Sequence, residues 1–205
     1  MSAVGGLLLV GVVQAAPAVA PAPARLCVMR HAEAWKNVPR PPPERQGAAG
    51  DALTPAGLAQ AAAAWPEGAS APAWVWVSPA GRARETAAGL RGAPAARVEP
   101  ALRPLDGVIA WPARLEAWAA GTDPRPAGGE SLADGAARVA AAEAAAWAAL
   151  GPGETGLWVT HGDVAALAIG GWEGRPLLER PGAVVLGHAE RRCLERPPGQ
   201  GASGR

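Results

Sequence analysis

Three short apolar runs in this 205-residue chain each end on side chains suited to an oxyanion. Arg30-His31 follows Leu26–Met29, Ser78-Pro79-x-x-Arg82 follows Trp74–Val77, and His161-Gly162 follows Leu157–Thr160. A neutral imidazole can attack phosphorus, which divides one difficult hydrolysis into two easier steps. A guanidinium offers a planar fork that matches phosphate oxygens bidentately and absorbs their charge. A second imidazole, if protonated, adds another cationic donor. These residue types at three strand ends suit the binding of an oxyanion, a phosphoryl group among them, provided that they meet in space.

The elements needed for such a meeting are legible. Leu26–Met29, Trp74–Val77 and Leu157–Thr160 read as buried strands, with a short strand at Arg97-Val98 and a final strand at Ala183–Leu186. Thr54-Pro55 is a cap with Pro at the first helical position and opens a helix to about Trp65; Ser78-Pro79 repeats the device and opens one to about Leu90. Ser131 with Asp134 is a capping-box-like start to a long helix reaching Leu150, and further helices are expected over Pro112–Ala120 and Asp163–Ile169. Asn37–Asp51 and most of Pro100–Gly129 read as irregular. Strands alternating with helices predict an α/β, three-layer fold with a mostly parallel sheet and helices on both faces. In such sheets chemistry gathers where strands end and loops turn into helices.

The motifs also stand in a recognisable order. Arg30-His31-Ala32-Glu33 with Asn37, then Asp51-x-Leu53-Thr54-Pro55-x-Gly57-x-x-Gln60-Ala61, then Ser78-Pro79-x-x-Arg82-Ala83-x-x-Thr86-Ala87, then Gly128-Gly129-Glu130-Ser131, then Thr160-His161-Gly162 span Arg25 to Leu186. The set resembles the histidine phosphatase superfamily, also called phosphoglycerate mutase-like. The resemblance implies the fold of that superfamily and a phosphomonoester hydrolase acting through a phosphohistidine on a small phosphorylated substrate. It implies neither a metal nor any other cofactor, and three His this far apart make no metal site. His31 would be the phosphorylated residue. Arg30, Arg82 and His161 would form the phosphate pocket, with Asn37 an accessory donor. A mutase is disfavoured, because the chain is short for the insertions that mutases carry.

Two departures from the pattern matter. Ala32 replaces the usual Gly and adds one methyl beside the nucleophile. Pro104, in Arg103-Pro104-Leu105-Asp106-Gly107, stands where the family has its acid Glu. Asp106 is the nearest replacement, with Asp163 second, although an Asp before Gly is equally an ordinary turn residue. The doubtful acid keeps two alternatives open: a phosphohistidine phosphatase of the short branch, and a pseudo-enzyme that binds a phosphorylated ligand without turnover. Ser78 and Thr54 read as helix caps, Glu130 as structural, Arg84 as a solvated charge, and His188 as an ordinary structural histidine.

The rest of the composition sets bounds. A net charge of +1 excludes global attraction to nucleic acid or anionic membrane. There is no Phe or Tyr, so nine Trp supply all the aromatic bulk. Residues 1–24 read as a leader, with an apolar run Leu7–Val13 and small-residue cleavage options from Ala16 to Ala24. The run is too short to anchor in a bilayer. The expectation is a periplasmic or secreted protein, the alternative a cytoplasmic one with an Ala/Pro leader, since Met1–Gly6 carries no Lys or Arg. Residues 25–190 form the expected domain and 191–205 a disordered tail. Cys27 reads as a buried apolar thiol, with a bridge to Cys193 left open.

Overall fold

The computed structural model describes residues 22–107 and 110–196, so the leader readings on residues 1–21 lie outside the described residues. Four strands run parallel: β1 (Ala24–Arg30), β2 (Trp74–Val77), β3 (Ala96–Val98) and β4 (Thr155–Thr160). A fifth, β5 (Arg191–Arg196), is antiparallel, and the sheet order is β3-β2-β4-β1-β5. Side chains alternate across the sheet. Leu26, Val28, Trp76 and Trp158 face one core, and Cys27, Met29, Val75, Val77, Leu157 and Val159 the other.

Among the described residues, six α-helices cover those two faces. On one side lie α1 (Pro55–Ala63) and α2 (Gly81–Gly89), whose Ala83 and Ala87 are buried. On the other lie α3 (Trp111–Ala119), α4 (Leu132–Ala148) and α5 (Gly162–Trp172), which bury Trp118, Trp147 and Ile169; α6 (Arg180–Ala183) is a single turn packed on α5. The expected three layers are present. The local signals explain the starts of α1 and α4: Thr54 Oγ1 accepts from Gly57 N–H, and Ser131 and Asp134 exchange hydrogen bonds as a capping box.

Two expectations are corrected. Ala183–Leu186 is not a strand. Pro181 opens α6, and Val184 and Leu186 are buried while Val185 is exposed, an alternation without a strand partner. The final strand is instead β5, so residues 191–196, expected in the tail, belong to the sheet. Its charges conceal it: only Leu194 is buried, and Arg191 and Arg196 lay their guanidinium groups over Trp65 and Trp147. Charged residues on an edge strand also block unwanted pairing.

β5 brings Cys193 opposite Cys27, and the two form a disulfide. The bridge closes a loop with a sequence separation of 166. Cross-links of this span stabilise mainly by restricting the unfolded chain. Replacing both cysteines by Ala is expected to cost about 2–5 kcal/mol, read as a lower denaturant midpoint that reductant no longer shifts. A midpoint equal to that of the unreduced wild type would show that the bridge contributes nothing.

Candidate active site

The C-terminal edge of the parallel strands assembles the site. Arg30 pairs with Thr160 in the β1–β4 register, so His31 and His161, one residue further on each strand, become neighbours with ring centroids 5.2 Å apart. His31 N–H donates to Thr160 O (2.8 Å), and Ser78 N–H to Val159 O (3.0 Å), which sets Ser78 beside the same edge. Arg82 reaches in from the first turn of α2. Its Nε donates to His31 Nε2 (3.0 Å), its Nη2 to His161 Nδ1 (2.9 Å), and its Nη1 to Asp51 Oδ1. His31, Arg82 and His161 are all at least nine-tenths buried.

These bonds fix the protonation pattern, because a guanidinium can only donate. His31 Nδ1–H donates to Ala32 O (2.7 Å), leaving the Nε2 lone pair toward Arg82. His161 must accept at Nδ1, so its proton sits on Nε2 and goes to Ser78 Oγ (2.7 Å). Burial, with Arg82 and Arg30 nearby, pushes the His31 imidazole down to about 3. Burial, Arg82 and His31 lower that of His161 as well. Both are neutral in the free site. Toward Arg82, His161 is thus a neutral acceptor, so the cationic donor that protonation would make of it is not its state in the free site.

Asp51 sets the angle of Arg82. Its Oδ2 accepts from Gly81 N–H (2.6 Å) at the start of α2, and Lys36 Nζ lies 3.7 Å from its Oδ1. A Cβ on residue 81 would lie 2.9 Å from Asp51 Oδ2, so the carboxylate approaches this closely only over glycine. The Arg82 guanidinium lowers the Asp51 carboxyl against the opposing effect of burial. Ser78 is not the cap of α2, which begins after Ala80. Its hydroxyl instead holds His161 and accepts weakly from Ala80 N–H. Ala32 is fully buried against Ala34, Leu53 and Ala61, so its extra methyl finds room in the core.

A cavity of about 320 Å³ opens over this cluster. Arg30, His31, Lys36, Asn37, Arg82, His161 and Asp163 give it a polar floor. Trp111, Val184 and Val185 contribute to an apolar wall, and Trp111 and Val185 are exposed. Asn37 spends Oδ1 on Ala34 N–H (3.1 Å), so its NH2 is what it can offer the cavity. Glu130 is structural as expected, pairing with Arg103 and Arg138.

The two acid candidates separate. Asp106 does not line the cavity; its half-exposed carboxylate accepts from Arg103 Nε (3.0 Å). Asp163, at the start of α5, does line it and is held by Leu105 N–H (2.7 Å) and Val164 N–H (2.8 Å). Burial raises its carboxyl above the ordinary range. The sequence reading gave no role to Lys36, Asp51 or His188. Asp51 lay within a quoted motif, which was the available signal.

The sequence model of the histidine phosphatase superfamily, branch 1, matches residues 26–202. The chain belongs to that superfamily. Solved histidine phosphatase-fold structures agree. Mycobacterial hydrolase 2 is 27% identical with a TM-score of 0.67, covering 87% of this chain and 84% of that one. A mycobacterial glucosyl-3-phosphoglycerate phosphatase in complex with VO3 is 25% identical with a TM-score of 0.64, covering 84% and 97%. The phosphoserine phosphatase of Entamoeba histolytica, in complex with 3-phosphoglyceric acid, is 20% identical with a TM-score of 0.65, covering 83% and 89%, and shows the fold alone. No curated protein sequence gives a significant match.

Proposed function

We propose that this histidine phosphatase hydrolyses small phosphomonoesters through a phosphohistidine at His31, and that Asp163 serves its leaving group. The observation that carries the reading is the Arg82 fork, which ties both imidazoles to one point at the strand ends. An incoming phosphoryl group draws the Arg82 N–H donors, together with Arg30, onto its oxygens. That frees the Nε2 lone pair of His31 to attack phosphorus. The P–O bond to the leaving group breaks, and the leaving oxygen takes a proton from Asp163 or departs as an anion. His31 Nδ1–H, donating to Ala32 O, spreads the positive charge of the phosphorylated ring. Water then attacks phosphorus and the N–P bond breaks to release phosphate and neutral His31. The water proton passes to Asp163 where Asp163 protonated the leaving group, and to the departed anion through solvent where it did not.

The apolar wall at Trp111 and Val185 supports a leaving group of aryl or otherwise apolar character. VO3 bound to a related phosphatase supports a phosphoryl site. The alternative of binding without turnover has one observation in its favour, the engagement of the Nε2 lone pair by Arg82 Nε. The Cys27–Cys193 bridge supports the exported reading, since disulfides persist in oxidising compartments.

A proton donor matters most for a poor leaving group, where its help is typically worth about 10² to 10⁴-fold. Asp163→Asn should therefore slow alkyl phosphates by about that factor and aryl phosphates far less. Asp106→Asn should leave both near wild type. Equal slowing of both substrate types by Asp163→Asn would remove it from proton transfer, and no hydrolysis by the wild type would remove the enzymatic reading.

A further inference from the structure

His188, read from sequence as an ordinary histidine, sits beside the nucleophile. Its ring centroid lies 6.0 Å from that of His31, and its Nε2 lies 3.0 Å from Arg30 Nη2. Arg30 has only donors, so His188 accepts at Nε2 and carries its own proton at Nδ1. The other arm of the same guanidinium, Nη1, donates to Leu186 O at 2.8 Å. Two acceptors two residues apart thus grip both ends of the fork. Its remaining N–H groups are left for an oxyanion in the cavity that Arg30 lines.

The turn that presents His188 is built and pinned. Ala189 has φ of 56°, the one left-handed non-glycine among the described residues. An L-residue adopts that conformation at a cost, because its Cβ crowds the following carbonyl oxygen. Such strain persists only where surrounding structure over-determines it, and it clusters at functional sites. Here the surroundings are the strand that carries the nucleophile. Ala189 N–H donates to Arg30 O (3.1 Å) and His31 O (3.3 Å), and Arg30 N–H donates to Glu190 O (3.0 Å). Glu190 Oε2 closes the turn by accepting from Gly187 N–H (2.6 Å).

We infer that His188 is a positioning residue that holds the Arg30 guanidinium in the orientation in which it receives the phosphoryl group. The inference rests on the reading of Arg30 as a phosphate ligand. It needs His188 neutral, and the charges around it agree: partial burial and the Arg30 cation lower the imidazole, against a smaller opposite effect of Glu33. Oriented donors matter because a fork displaced by about 1 Å from productive geometry can cost roughly 10²-fold in rate.

The test uses sulfate as the probe, because its charge is constant between pH 5 and 8. Calorimetry and competitive inhibition are run on wild type, His188→Ala and His188→Gln, with thermal midpoints measured alongside. His188→Ala is expected to bind sulfate about tenfold more weakly and to raise KM for an aryl phosphate more than it lowers kcat. His188→Gln, whose Oε1 can accept from Arg30, should recover to within about threefold of wild type. Should the Ala variant lose its fold, His188→Leu takes its place. An Ala variant that binds like wild type would overturn the inference, as would a Gln variant as weak as Ala. A wild type that binds sulfate at this site without turning substrate over would end the catalytic reading and leave the positioning role intact. A wild type that hydrolyses the aryl phosphate yet fails to bind sulfate would overturn the inference and leave the catalytic reading standing.

Discussion

His31→Ala protein should fold, bind phosphate analogues weakly, and hydrolyse nothing above background, with a loss of about 10⁴-fold or more in kcat. Rapid acid-free quenching with a labelled aryl phosphate should trap a phosphoenzyme in wild type and none in the variant. Undiminished turnover in a folded His31→Ala protein would sink the phosphohistidine mechanism. A second signature follows from the low His31 pKa. In the unfolded chain the ring takes up a proton near 6.5, whereas in the fold it stays neutral down to about 3. The unfolded state then binds more protons, so stability is lost as pH falls from 6.5 toward 3. His31→Ala should flatten that decline, measured as denaturant midpoints across the window.

Arg82→Lys is expected to lower kcat/KM by about 10² to 10³-fold, the usual cost of removing a preorganised donor from a transition-state oxyanion. The substitution keeps the charge, so the effect isolates geometry. Lys presents a point charge on a flexible stem, whereas Arg82 reaches His31, His161 and Asp51 at once. It also strips the acceptors His31 Nε2 and His161 Nδ1 of their donor. Vanadate inhibition should weaken in parallel. Retention of kcat/KM within tenfold would mean that Arg82 serves to hold the two imidazoles in the free protein and contributes little to the reaction.

Much of this site was legible because its parts obey local rules. His31 and His161 follow strands that their own apolar runs announce, and the β1–β4 register makes neighbours of them. Thr54 and Ser131 cap their helices through side chains three residues from their partners, which a sequence displays directly. What escaped depends on contacts distant in sequence. β5 reads as a charged tail until Arg191 and Arg196 are seen lying on tryptophans. His188 needs a left-handed alanine and β5 anchored on β1 before it can reach Arg30. Spacing placed Asp106 ahead of Asp163, and the structure reverses that order, because Asp163 lines the cavity with its carboxylate held by Leu105 N–H while Asp106 lies outside it.

The strand order also dictates a timetable. β1 is the first described strand to leave the ribosome, yet both its neighbours, β4 and β5, are the last two. At common synthesis rates the interval between Cys27 and Cys193, 166 residues, lasts roughly 8–30 s. During that interval Leu26, Val28 and Met29, fully buried in the finished sheet, have no strand to lie against. The nascent chain therefore carries an apolar strand without its partners throughout that interval, a natural place for a chaperone to hold it. The candidate site joins residues on both sides of that gap, His31 with His161 and Arg30 with His188, so it forms only after β4 and the turn before β5 have been made.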